Sequence, residues 1–132
     1  MSIIYGTYKQ AMAQDNAQAT NFETTDVKAY LVSSAVNAAD KYVSDLTGIV
    51  STSPNLLTKA VNVSGVYSAA NWTWTAVSGA TVVGVVFALD SGNPATSLLM
   101  TYLDSTHVTG LPLPPNGGDV NWIGDPAGLW GL

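Results

Sequence analysis

The sequence predicts a mainly β protein: an antiparallel β-sandwich or barrel, jelly-roll-like, with a short helix or arm at its start. Three observations carry this reading. About seven short apolar or alternating runs recur at roughly 8–12-residue spacing, each closed by Gly, Pro, Asn or Asp. Trp72-Thr73-Trp74-Thr75 alternates with period two, which puts both indoles on one side of a strand. Helical spacing built from good helix formers is confined to two stretches, 7–19 and 38–46.

Taken in order, Ile3-Ile4-Tyr5 is a short apolar stub stopped by Gly6. Thr7 to Ala19 is rich in Ala and Gln, lacks Pro and Gly, and sets Tyr8, Ala11 and Met12 on one side of a short helix. An arm that orders on a neighbour is the other reading of it. Asp26 to Ser34 alternates as a strand. Ala38 to Leu46 reads as a two-turn helix, with Asn37 as its N-cap and Gly48 beyond its end. Ile49-Val50 is short and Ser51 to Asn55 is a loop. Leu57 to Val63 and Gly65 to Tyr67 are the next strands, followed by Trp72 to Val77. Thr81 to Leu89 is dense in Val and reads as a strand buried on both faces. Asp90-Ser91-Gly92-Asn93-Pro94 is a strong turn, so Ser97 to Leu103 returns as the hairpin partner. Residues 110–118 hold three Pro and three Gly and form a loop of fixed shape. Asp119 to Ile123 is the last strand, before the apolar close Gly128-Leu129-Trp130-Gly131-Leu132. The expected organisation is an N-terminal arm or short helix over 1–25 and one β domain over 26–132.

Composition limits function. Charged residues make up 10% of the 132, where about 25% is usual. There is no Arg or Cys, one His (His107) and one Glu (Glu23), and the net charge is −5. Catalysis needs tuned titratable groups, an activated nucleophile or a metal. The expectation is therefore no enzyme, no catalytic residue, no metal and no cofactor. Four lysines on an acidic chain leave no footprint for nucleic acid or an anionic membrane surface. The longest apolar run, Ala80 to Leu89, is about half of what a spanning helix needs. The start of the chain has neither a basic nor a long apolar segment, so no secretion signal is expected. A surface this poor in charge suits a protein largely covered by neighbours in an assembly.

Each chemical constellation has a simpler structural reading beside it. His107 follows Asp104 and Ser105, but no Gly-x-Ser-x-Gly elbow is present, so a polar turn is expected. Nearly every Asp sits at a turn or helix end, where it bonds its own backbone rather than forming a glycosidase pair. Asp90 to Asn93 is oxygen-rich but lacks the register of a calcium loop. Trp72 and Trp74, with Trp122 and Trp130, fit three roles: a sugar-stacking platform, a subunit interface, or core. Leu111 and Leu113 project from the Pro-rich loop, either across a neighbour or onto their own domain. The interface candidates are Tyr5, Tyr8, Met12, Trp72, Trp74, Leu111, Leu113, Trp130 and Leu132.

A set of ordered motifs carries a resemblance. They are Asp26-Val27-Lys28-Ala29-Tyr30-Leu31-Val32, Leu46-Thr47-Gly48-Ile49-Val50, Trp72-x-Trp74 ahead of a Val-rich strand, and Gly92-Asn93-Pro94-Ala95-Thr96-Ser97-x-Leu99. Thr109-Gly110-Leu111-Pro112-x-x-Pro115-Asn116-Gly117-Gly118-Asp119 is the most distinctive, and a Gly-x-x-Gly-Leu end follows. From about Asp26 to Leu132 the chain resembles small virion proteins of tailed bacteriophages, encoded among head and neck genes. The resemblance implies a structural virion protein with no catalytic motif. It points to a capsid cement or decoration protein, made in the bacterial cytoplasm and placed on the capsid surface. Its partners would be the major capsid protein and itself, as a homodimer or homotrimer. The alternative is a tail, neck or host-recognition module in which Trp72 and Trp74 meet glycan. A small lytic enzyme and a free carbohydrate-binding module are further rivals.

Overall fold

The computed structural model describes residues 2–5, 25–61, 66–123 and 130–131. Its strands are β1 (Ser2–Ile4), β2 (Val27–Val32), β3 (Ile49–Thr52), β4 (Ala60–Val61) and β5 (Val66–Ser68). They continue with β6 (Trp72–Trp74), β7 (Gly84–Leu89), β8 (Leu99–Asp104), β9 (Val120–Trp122) and β10 (Trp130–Gly131). Every pairing is antiparallel. The expected mainly β, sandwich-like architecture is what forms, and no closed barrel is found among the described residues.

The largest sheet has the order β1-β8-β7-β2-β3. Its centre is the Val-rich strand, and all six residues of β7 are buried, as a continuous apolar run between two covered faces requires. The Asp90–Ser97 turn closes β7 onto β8, with Val85 opposite Leu103 and Phe87 opposite Thr101. The turn's oxygens serve its own backbone: Gly92 N donates to Asp90 Oδ1 (3.1 Å), and Ala95 N donates to Asn93 Oδ1 (3.0 Å). Asp90 also pairs with Lys28 at 3.2 Å. β2 lies along β7 from Val27–Leu89 to Val32–Gly84. Alternation turns Val27, Ala29 and Leu31 to the same face as Leu89, Phe87 and Val85. On the opposite face Tyr102 packs over Gly84, so closely that a methyl at Gly84 would stand 2.2 Å from the ring carbon Cε1.

Two smaller units complete the body: a three-stranded sheet β10-β5-β4 and a two-stranded ribbon β6-β9. β1 pairs with β8 and is followed by the buried Tyr5, whose amide donates to Met100 O at 3.0 Å. Residues 2–5 of the stretch read as an arm thus belong to the β body. The helix expected over Thr7–Ala19, with Tyr8 and Met12, lies outside the described residues, as does Leu132.

Several expected elements are shorter than the pattern suggests, among them the Thr81–Leu89 strand, which runs over Gly84–Leu89. The helix over Ala38–Leu46 is a single 3₁₀ turn at Val43–Asp45. Tertiary bonds take its backbone instead: Val43 N donates to Ser97 O and Ser44 N to Pro94 O, both at 3.0 Å. Asn37 makes a local turn, accepting from Ala39 N, and caps no helix. The strand expected from Leu57 is limited to Ala60–Val61 in the described residues, because Thr58 stands at φ 51°, off any strand conformation. The Trp72–Val77 strand stops at Trp74, ahead of Ala76 at φ 50°.

Candidate functional site

The face of the central sheet that carries Phe87 meets the β6-β9 ribbon through aromatic rings. Trp72 is directly opposite Trp122 in the ribbon register. Their rings stack at 4.9 Å and 5°. Trp74 and Phe87 meet this stack edge-on, 5.5 and 5.9 Å from Trp72 at 72° and 88°. Both are also close to Trp122, at 6.4 and 5.9 Å. T-shaped contacts of this kind set a ring edge, slightly positive, against the negative face of its neighbour. Trp74 is anchored further, since its Nε1–H donates to Ala29 O at 3.0 Å. The Nε1 groups of Trp72 and Trp122 are buried without a hydrogen-bond acceptor.

Beside this stack the interior opens. A cleft of about 730 Å³ runs between Leu31 and Val85 of the sheet and Trp74 and Trp122 of the ribbon. Leu111 and Leu113 of the Pro-rich loop also line it. The face of Trp122 away from Trp72 carries neither of the other two rings. A ring lying there would stand roughly two stacking distances, about 8–10 Å, from Trp72. Trp74 and Phe87 are far closer than that.

The loop is fixed by backbone bonds. Val82 and Leu113 exchange both amide–carbonyl bonds, at 2.8 and 2.9 Å. Gly117 N donates to Val77 O (2.7 Å), Val77 N to Gly118 O (2.9 Å), and Ala76 N to Asp119 Oδ1 (2.9 Å). Asn116 Oδ1 accepts from Gly118 N at 2.8 Å, and Gly117 takes φ 86°. Those are the tasks of Pro-Asn-Gly-Gly-Asp: the string turns the chain sharply and clamps the end of β6 to the start of β9.

The predicted site residues separate accordingly. Tyr5 is fully buried, and burial, with Asp40 and Tyr102 adding, pushes its hydroxyl pKa well above the ordinary tyrosine value. Trp72 and Trp74 are 7% and 1% exposed, which matches the core reading and leaves neither indole a face for sugar or a neighbour. Leu111 and Leu113 are half-buried on their own domain and line the cleft. Trp130 pairs through its backbone with Tyr67. Sequence reasoning did not find the Trp72–Trp122 stack, the cleft, or Ile123 at its rim, 76% exposed. A signal for Ile123 was present: the alternation that turns Val120 and Trp122 inward sends Ile123 outward with Asn121.

Titratable groups give this site little chemistry. His107 is the sole ionisable residue among the described cleft lining. Its Nδ1 is 2.8 Å from the Thr106 hydroxyl and 4.0 Å from Asp104, in the turn after β8, so its ring is paired with no serine there. Burial also raises Tyr30 and Tyr102, away from neutrality. Lys59 is lowered by burial, but its ammonium is held on the Thr25 carbonyl. No group of three His, Cys, Asp or Glu that could hold a metal occurs among the described residues. No described helix is long and apolar enough to cross a membrane. The arrangement is suited to receiving an uncharged, largely apolar group. Comparison with family models and with curated proteins found no match.

Proposed function

We propose that this chain is a structural subunit of a tailed-phage particle, a capsid cement or decoration protein that bridges major capsid subunits. One observation carries the reading: the motifs that resemble phage virion proteins occupy framework positions. Asp26–Val32 leads into and forms β2, Leu46–Val50 leads into β3, and Gly92–Leu99 closes the β7–β8 hairpin. The Pro-Asn-Gly-Gly-Asp string clamps the aromatic ribbon. A chain whose signature builds a frame, with no reactive constellation among the described residues, acts by being present and covered.

The exposed apolar groups support the same reading. β3 is an edge of the large sheet, and the run from Leu46 to Thr58 along it has no charged side chain. Ile49 is 41% exposed and Leu57 70%. Sheet edges in isolated proteins are usually blunted by charge. This edge has Pro54 and a register shift at Leu31/Val32 in place of charge. Burying such surface between shell subunits adds a modest net contribution at each site, after ordering costs, and repetition around a shell multiplies it.

The test is stoichiometry in purified particles that carry the protein. A copy number close to that of the major shell protein is expected. A handful of copies per particle would overturn the cement role and favour the neck or tail. Trp122, partly exposed and lining the cleft, is the observation that favours a host-recognition module. Quenching or a shift of tryptophan fluorescence on titration with host glycans would decide for it.

A further inference from the structure

Asn116–Gly117 is the one place in the chain where an asparagine precedes a glycine. With no Cβ on the second residue, its backbone nitrogen meets the least hindrance in reaching the asparagine carboxamide. Asn116 is exposed, so water has access to it. We propose that Asn116 is a deamidation site that the ribbon clamp keeps silent, and that its reaction in an opened ribbon irreversibly unmakes the clamp.

The reaction needs no partner but water. The Gly117 nitrogen attacks Asn116 Cγ and a C–N bond forms. The Cγ–Nδ2 bond breaks, and Nδ2 leaves as ammonia with the proton that Gly117 N gives up. Water then opens the five-membered imide. Addition at Cγ leaves an aspartyl residue. Addition at the main-chain carbonyl carbon leaves an isoaspartyl residue, whose backbone runs through Cβ and Cγ. Two bonds at this site act in opposite senses. Asn116 Oδ1 accepts from Gly118 N at 2.8 Å, which draws electron density from Cγ and favours attack. The nucleophile is withheld. An amide nitrogen shares its lone pair with its carbonyl and must lose its proton to attack. In the closed ribbon that proton is donated to Val77 O at 2.7 Å. A deprotonated nitrogen there would face the carbonyl lone pairs, and turning it toward Cγ breaks the bond. Val77 N–Gly118 O and Ala76 N–Asp119 Oδ1, both 2.9 Å, hold the same stretch of backbone in place. Attack therefore waits until these bonds open. The isoaspartyl product then carries one more carbon in its main chain, and the short span that presents both Gly117 N and Gly118 O to Val77 no longer fits.

This chemistry belongs to the free chain and does not rest on the virion reading. The experiment holds the full chain and a peptide of residues 113–119 in the same warm, mildly alkaline buffer. Peptide mass mapping follows the gain of one mass unit at Asn116. The native chain is expected to convert at least about tenfold more slowly than the peptide, as closure of the clamp in most molecules requires. Trp122→Ala loosens the ribbon without altering the sequence around Asn116, and should bring the native rate several-fold toward that of the peptide. Chains carrying the isoaspartyl residue gain a negative charge and separate by ion exchange. In them amide exchange should quicken in Trp72–Trp74 and Val120–Trp122 and stay slow in β2, β7 and β8. Asn116→Asp adds the charge without the extra carbon and should keep the exchange of the parent. A native chain that converts as fast as the peptide, a peptide that does not convert, or a Trp122→Ala rate equal to the parent's would each overturn the proposal. So would an isoaspartyl chain with the parent's exchange, or an Asn116→Asp chain that has lost as much protection as the isoaspartyl one.

Discussion

The central sheet and the aromatic ribbon are held in different ways. β7 is bonded on both sides, to β2 and β8, over nearly its whole length, and its side chains are small aliphatics and one Phe. Loss of one side chain there leaves two ladders intact. β6 and β9 pair over three residues each, and a two-stranded ribbon is marginal by itself in water. What holds it is the indole stack and the loop clamp. The sheet is thus stabilised by many equivalent contacts, and the ribbon by a few large ones. The cleft lies where the two meet, at the end of the aromatic layer.

The strongest way to break this contrast is Trp74→Ala. It removes a fully buried indole at the junction and the bond to Ala29 O. A cost of about 3–5 kcal/mol is expected from the cavity. Small domains have about 5–15 kcal/mol in total, so urea unfolding should shift most of the way to low denaturant. Trp74→Phe should be milder, because Ala29 O still accepts from Ser53 N at 2.8 Å. Gly84→Ala probes the sheet in the opposite sense, by overfilling it. A cost of about 1–3 kcal/mol is expected from the clash with Tyr102. If the ring is the cause, Gly84→Ala combined with Tyr102→Ala should cost less than the two changes summed.

Trp122→Ala sharpens the comparison. The ring is half-buried, so less is lost: about 1–2 kcal/mol, from the stacked pair and part of its area. The location of the effect matters more than its size. Amide exchange should quicken in Trp72–Trp74 and Val120–Trp122 while β2, β7 and β8 keep their protection. Uniform loss of protection would show that ribbon and sheet unfold as one unit, and the contrast would fail.

The two regions also differ in how far they were legible. The Val-rich run, the Asp90–Pro94 turn and the returning strand are local signals, and the β7–β8 hairpin follows from them. β2 was legible as a strand, but not its place beside β7, because period-two patterning says which residues face inward and not which strand is the neighbour. The ribbon was legible only as two separate strands. Trp72 meets Trp122 because the Pro-rich loop folds back through Val82 and Val77, and those bonds are long-range backbone contacts with no side-chain pattern to announce them. The 38–46 segment was misread for the converse reason. Its helix formers are real, but bonds to Pro94 and Ser97 from outside the segment outweigh a local preference of a few tenths of a kcal/mol per residue. The cleft could not be read at all, since a hole is defined by where chains stop packing; alternation along β9 announces only that Ile123 faces outward.

The smallest expected effect tests the 3₁₀ turn that replaces that helix. Asp45 Oδ2 accepts from Lys41 N at 2.9 Å and from Tyr42 N at 3.0 Å. These two backbone bonds hold the carboxyl below its ordinary value of 3.8, with burial opposing slightly and Lys41 adding its charge. Since the folded value is depressed, the stabilisation is complete above the unfolded value and is lost as pH falls through the folded one. Asp45→Asn keeps an acceptor oxygen but not the charge. The variant should therefore unfold at slightly lower urea than the parent from neutral pH down to about 5, and the gap should close in acid below about 4. The side chain is in solvent, so salt should shrink the gap as well. A gap that stays constant into acid would mean that the carboxylate's charge contributes nothing to the turn. The docking of Val43 and Ser44 onto the hairpin would then be sufficient to hold it, making this segment another part of the sheet's many small contacts.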